Sequence, residues 1–217
     1  VKTILPAVVL GMAMAGLAGC NSLTGDALQT MRLAITGPES PITVERVRAV
    51  SAPVLLAQLG VAEAMLISNG GYSGLVEWHG VTEMLLTHHG RVTQTAGMPA
   101  DIIAPLVTAD PFAAGLHTVA DGLEVTRLVD YPALHRTGLR QHARYKRGRL
   151  EKVEFMGESH QLLRIDEVIR MPELGFKATN QYWVEPDTGL VRRSTQYIAP
   201  DLPPLHLTLA KTAGGQP

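Results

Sequence analysis

The chain has 217 residues, 19 Lys and Arg against 20 Asp and Glu, 46% apolar and 18% charged residues, and a formal charge of −1. That balance excludes a global electrostatic case for nucleic acid or for an anionic bilayer surface, and the composition is that of a folded body rather than a disordered segment. The length suits one sizeable core, and a single cysteine excludes an intrachain disulfide.

Lys2 is followed by an uncharged run, Thr3 to Gly19, ending in small residues. A positive n-region, an apolar h-region and small residues ahead of a cleavage point make 1–19 a removable export leader rather than a membrane span. Leu17-Ala18-Gly19-Cys20 resembles the lipobox of bacterial lipoproteins. The resemblance implies cleavage before Cys20, a diacylglyceryl group on its sulfur and a further acyl chain, such as palmitate, on the new amino end. At about 0.8 kcal/mol per buried CH₂, two or three such chains hold a protein stably where one is marginal. Asn21 stands where an Asp would signal inner-membrane retention, so the expected location is the periplasmic face of the outer membrane. Nothing after Cys20 is a run of about twenty apolar residues, which leaves the lipid anchor as the expected membrane contact.

Residues 20–25 read as the lipidated cysteine and a polar tether, and 26–217 as a single mainly-β domain. Asp26 can cap a short N-terminal helix through Ala34, stopped by Gly37-Pro38. Thr43 to Val50 suits either a capped helical turn or an edge strand. From Pro53 the pattern shortens to strands at Val54–Gln58, Glu63–Ser68, Gly74–His79 and Glu83–Thr87, with hairpin signals at Asn69-Gly70 and His89-Gly90. Met98 to Ala120, broken by prolines, predicts helical turns.

Further strands are predicted at Leu123–Asp130, Leu139–Lys146, Leu150–Met156, Gln161–Arg170, Thr179–Glu185, Leu190–Tyr197 and Leu205–Leu209. Turns are expected at Arg147-Gly148, at Gly157-Glu158-Ser159 and at Pro186 to Gly189. Leu163, Ile165 and Ile169 alternate with Arg164, Asp166 and Arg170, as on a half-buried strand, while Glu167 and Val168 break the alternation. Many short strands with turns every eight to twelve residues or so predict an antiparallel barrel-like or sandwich body.

Tyr131 to Leu150 contains six bases and no acid. On an extended strand, Arg140, His142, Arg144 and Lys146 share one face and Gln141, Ala143 and Tyr145 the other. Arg140, Arg144, Lys146 and Arg147 are therefore candidate polyanion-binding residues, against the plainer reading of a solvated face partly neutralised by Glu151 and Glu154. Trp78 and Trp183 are candidates for stacking on sugar rings, or else core groups. The histidines lack metal-ligand spacing, no Gly-x-Ser-x-Gly elbow is present, and the carboxylates are ordinary for exposed strands. No metal, cofactor or enzymatic activity is expected.

Several blocks together resemble the YjbF/GfcB family of bacterial lipoproteins associated with group 4 capsule and exopolysaccharide export. They are Ala27 to Met31, the Trp78 segment, Gly90-Arg91-Val92 with Thr95 and Gly97-Met98, Asp101-Ile102, Asp110-Pro111, Asn180 to Gly189, and Ser194-x-Gln196-Tyr197. The resemblance implies a mainly-β, barrel-like lipoprotein facing the periplasm, with no assigned catalytic residues. The expected function is that of a non-enzymatic accessory factor binding acidic polysaccharide or partner secretion proteins. The alternative is a periplasmic lipid or lipoprotein carrier, which would need a wide apolar cavity where the first reading expects side chains such as Trp183.

Overall fold

The structure, a computed structural model, describes residues 42–212; Cys20 and the helix predicted from Asp26 lie outside them. Thr43 opens the described chain as a helix cap, its Oγ1 accepting from the Arg46 amide at 3.2 Å, and so decides the ambiguous Thr43–Val50 stretch as helix α1, Val44–Ala49.

Five short strands and a two-residue one follow: β1 Val54–Leu59, β2 Ala62–Ile67, β3 Gly71–Tyr72, β4 Leu75–His79, β5 Met84–His88 and β6 Arg91–Ala96. One helical turn, α2, spans Pro111–Ala114. The second half supplies β7 Glu124–Tyr131, β8 Arg136–Phe155, β9 Glu158–Met171, β10 Phe176–Val184, β11 Val191–Gln196 and β12 Leu205–Lys211.

Among the described residues these make one antiparallel sheet in the order β6-β5-β4-β2-β1-β12-β11-β10-β9-β8-β7, with β3 paired to β4. The sheet is mainly β, as the alternation predicts, and curls into a half-barrel rather than closing fully. Its edge strands β6 and β7 do not pair with each other; Ile103 bridges to Gln94 on one side and to Asp130 on the other. The Ile103 amide donates to the Asp130 carbonyl at 3.0 Å and the Asp130 amide to the Ile103 carbonyl at 2.8 Å, while the Ile102 carbonyl and the Ala104 amide bond to Thr95 and Thr93 of β6, so three residues of a connecting segment cover edges that would otherwise be open.

Three predictions for individual elements are corrected. Leu139–Lys146 and Leu150–Met156 are one continuous 20-residue strand, β8, whose register against β9 shifts between Arg147 and Leu150. Gly148 sits at this irregularity because a Cβ there would come within 2.8 Å of the Arg164 carbonyl oxygen. The tight turn of that hairpin is Met156-Gly157, both with positive φ, one residue earlier than predicted. Glu167 does not break the alternation of β9 either: Leu163, Ile165, Glu167, Ile169 and Met171 are all buried on one face.

The concave side of the sheet holds two apolar clusters, one around Leu55, Leu66, Trp78, Leu85 and Tyr131 and one around Phe112, Tyr145, Ile165, Ile169 and Tyr182. A third cluster joins Val47 of α1 to Val54 and Ala210 and takes in Met156 from the β8–β9 tip. Burial of such side chains, at about 25 cal/mol per Å², is what holds strands whose backbone hydrogen bonds each contribute little net.

Candidate functional site

Behind the candidate surface lies a buried ionic network that the sequence reading did not find. Arg127 of β7 is fully buried; its Nε and Nη2 donate to the two Asp110 carboxylate oxygens at 2.5 and 3.1 Å, and its Nη1 to Glu167 Oε1 at 2.7 Å. The Tyr145 hydroxyl accepts from Arg127 and donates to Glu167 Oε1 at 2.7 Å. Asn180 and Tyr182 of β10 donate to Glu167 Oε2 at 2.8 and 3.0 Å. Gln141 of β8 accepts from both Arg127 and Arg91, and Arg91 also donates to the Ala104 carbonyl at 2.6 Å. Two guanidinium groups and two carboxylates thereby balance inside the half-barrel, as buried charges must.

Burial pushes the Glu167 carboxyl up, but the guanidinium groups of Arg127 and Arg91 and the bonds from Asn180 and Tyr145 outweigh it and hold the group at about 2. Burial raises the Tyr145 and Tyr182 phenols, and the Glu167 charge raises them further, so both remain protonated donors. The acceptor and donor capacity of this cluster is used internally. It is a strut between β6, β7, β8, β9 and β10, and it presents no accessible acid or base to a substrate.

The opposite face of the same strands carries the predicted basic row. Arg140, His142, Arg144 and Lys146 are exposed while Gln141, Ala143 and Tyr145 are buried, as the two-residue period requires. The side chains of Arg140 and Arg144 are 64% and 69% exposed. Neighbouring strands widen the row: Arg170 of β9 lies opposite His142, and Lys177 of β10 lies opposite Arg170. The acids that temper it are not Glu151 and Glu154. Glu173 pairs with Arg140 at 3.0 Å and Glu124 approaches Arg144 at 3.9 Å, whereas Asp166, opposite Lys146, is held by Arg164 at 2.8 Å. Glu154 pairs with Lys152, and Glu151 accepts from Trp183 Nε1 at 2.9 Å. Arg147 stands apart at the β8 irregularity, where its amide donates to Asp121 and its guanidinium to the His117 carbonyl.

The two tryptophans separate. Trp183 does not fill the interior; it is half-buried on the outer face, with the guanidinium groups of Arg164 and Arg193 at 5.8 and 5.9 Å from its ring centroid. Its neighbour Tyr182 points inward instead. Trp78 is buried, donates to Thr87 Oγ1 at 2.8 Å, and walls a cavity of about 430 Å³ between β4–β5 and β11–β12. Around it the interior holds the Arg127 network and the apolar clusters. Among the described residues no group of His, Cys, Asp and Glu is arranged to hold a metal ion.

The lipoprotein YmcC of Escherichia coli K12 has a similar fold at 19% sequence identity, with a TM-score of 0.69 over 86% of this chain and 96% of that one. A Parabacteroides distasonis protein described as a lipoprotein matches at 9% identity and a TM-score of 0.33, over 75% of this chain and 95% of that one. A Bacteroides fragilis protein described as exported, with a YmcC-like fold, matches at 11% and 0.34, over 73% and 93%. No curated protein sequence matches the chain. Residues 26–209 match the family model described as group 4 capsule polysaccharide lipoprotein gfcB, YjbF, and the chain belongs to that family.

Proposed function

We propose that this member of the capsule lipoprotein family is a non-enzymatic accessory factor of polysaccharide secretion that binds acidic polymer on the outer face of β7 to β11. In this reading 1–19 is a leader, Cys20 carries the lipid that tethers the chain to the periplasmic side of the outer membrane, and 26–217 is a single domain. The observation that carries it is the outer face itself. Arg140, Arg144, Lys146, Arg170 and Lys177 project from three adjacent strands of a chain whose overall charge is −1, with Glu124 and Glu173 at the margin.

Alternate residues along a strand lie about 7 Å apart and neighbouring strands about 4.8 Å apart. The face is thus a grid of donors on which an extended polyanion meets several cations at once, each contact weak and their sum salt-sensitive. Trp183, half-exposed between Arg164 and Arg193, supplies an aromatic group at the far side of the same surface. A non-enzymatic role is supported by the organisation of Glu167, whose buried oxygens are both already hydrogen-bonded within the protein.

The test is retention on immobilised polygalacturonate under a rising salt gradient. The wild-type soluble body is expected to elute at clearly higher salt than Arg140→Ala/Arg144→Ala, with Trp183→Phe intermediate. Equal elution of wild type and double variant, with unchanged circular dichroism, removes the proposal.

A further inference from the structure

Alternate connections of an antiparallel sheet lie at the same end of it. The strand order therefore gathers the β4–β5, β1–β2, β11–β12, β9–β10 and β7–β8 connections at one end of the half-barrel. Neighbouring connections touch there. A Cβ on Gly60 would lie 3.5 Å from Pro203 Cγ, and one on Gly97 would lie 2.3 Å from the Thr82 carbonyl oxygen. The Tyr131 hydroxyl, just ahead of the β7–β8 turn, donates to the Ile198 carbonyl at 3.0 Å.

The two sides of this end differ in chemistry. On one side, Val61 of the β1–β2 turn and Val81 of the β4–β5 turn are 94% and 99% exposed. Between these turns lies a groove of about 260 Å³, walled by Leu59, Leu85, Met98 and Pro99 and carrying Glu63 and Glu83 as its charged lining residues. Asp201 is exposed in the adjoining β11–β12 loop. The sequence has no Lys or Arg from Ala49 to Gly90 or from Tyr197 to Ala210, so no cation of these segments offsets the acids. On the other side the β7–β8 turn presents Leu134, 54% exposed, followed by His135 and Arg136, both exposed.

We propose that this end is an isologous interface between two copies of the chain, in which Leu134 of each enters the apolar groove of the other and Arg136 meets its acidic rim. A two-fold axis in the plane of the end, running between the acidic and basic turns, sets each basic turn against the acidic turns of the second copy. Charge fixes the register and apolar burial supplies the affinity. Fully exposed valines on either side of an apolar groove mark a contact surface rather than a solvated tip. An anionic bilayer would meet the acids with like charge, whereas a second copy brings an apolar side chain and a cation together. The interface leaves the convex basic face uncovered, so it stands or falls separately from polymer binding.

The experiment is disulfide cross-linking of the full chain in intact cells, with two differently tagged copies co-expressed. One copy carries Leu134→Cys and the other Val61→Cys or Val81→Cys; wild type, whose sole cysteine is Cys20, sets the background. A mixed-tag dimer at least fivefold above background is expected with at least one of the two valine positions. Leu134→Cys paired with Leu150→Cys, an exposed position beside the β8 irregularity, is expected to stay at background. Arg136→Glu in both copies, at equal protein level, should lower the cross-linked yield at least threefold. Background yield with both valine positions, an equal yield with Leu150→Cys, or a yield undiminished by Arg136→Glu overturns the proposal.

Discussion

Glu167 accepts four hydrogen bonds at 0% exposure, so its replacement tests the strut directly. Glu167→Gln keeps the shape but leaves the two guanidinium groups with one counter-charge, and a loss of about 3–5 kcal/mol in urea unfolding at pH 7 is expected. The pH dependence has a definite sign. Because the folded carboxyl sits at about 2 against an ordinary value of 4.5, its contribution is fully present above pH 4.5 and disappears as pH falls toward 2. Wild-type unfolding free energy should therefore drop across that interval, while the drop in Glu167→Gln is shallower. Gly90 is a second decisive residue: its φ is +85°, and a Cβ would lie 2.5 Å from the Val191 Cβ. The β5–β6 turn thus presses against β11, where Gln196 accepts from the Val92 amide and donates to the Gly90 carbonyl.

At the scale of elements, two connections repeat one design. β7 passes to β8 through Pro132–Leu134 and His135, and β9 to β10 through Pro172–Leu174 and Gly175; each is a short 3-10 turn closed by a left-handed residue. Proline fixes φ at the start of the turn in both, but only the second has glycine at the end. His135 at φ +51° holds a conformation that costs a non-glycine residue about 1–2 kcal/mol, so His135→Gly is expected to raise stability by about 1 kcal/mol, read as a higher urea midpoint with unchanged slope. The cap of α1 sets the opposite case. Thr43→Ala removes the bond to the Arg46 amide and should cost about 1 kcal/mol, visible as a lower thermal midpoint.

For the whole molecule, the curled sheet gives one chain two separate surfaces. The concave side is closed by apolar packing and by the Arg127 network, and the convex side of β7 to β11 is polar and mostly cationic. The tether proposed at Cys20 would hold that body at a membrane through acyl chains, at about 0.8 kcal/mol per buried CH₂. Cys20→Ser, expressed with its leader, is expected to move the protein from the outer-membrane fraction to the soluble periplasmic one on fractionation; continued sedimentation with outer membranes would remove the anchor from the account.

Strand-scale features were legible in the sequence because alternation and turn residues act over two to four positions. The edges of most strands, the inward side of Tyr145 and the outward side of Arg140, Arg144 and Lys146 follow from that period alone. Arg127, Asp110 and Glu167 were not legible as a site, since 40 positions separate Arg127 from Glu167 and an isolated Glu in an apolar strand reads as a fault in the pattern. Several blocks that carry the family resemblance contain the network's members Arg91, Asp110, Asn180 and Tyr182, yet nothing local shows that they converge. Only the curl of the sheet decided that, by bringing β6 and β7 into one interior where burial makes each charge depend on the others. The same curl placed Trp78 beside a cavity and Trp183 outside it, a difference between two indoles that no pattern along the chain encodes.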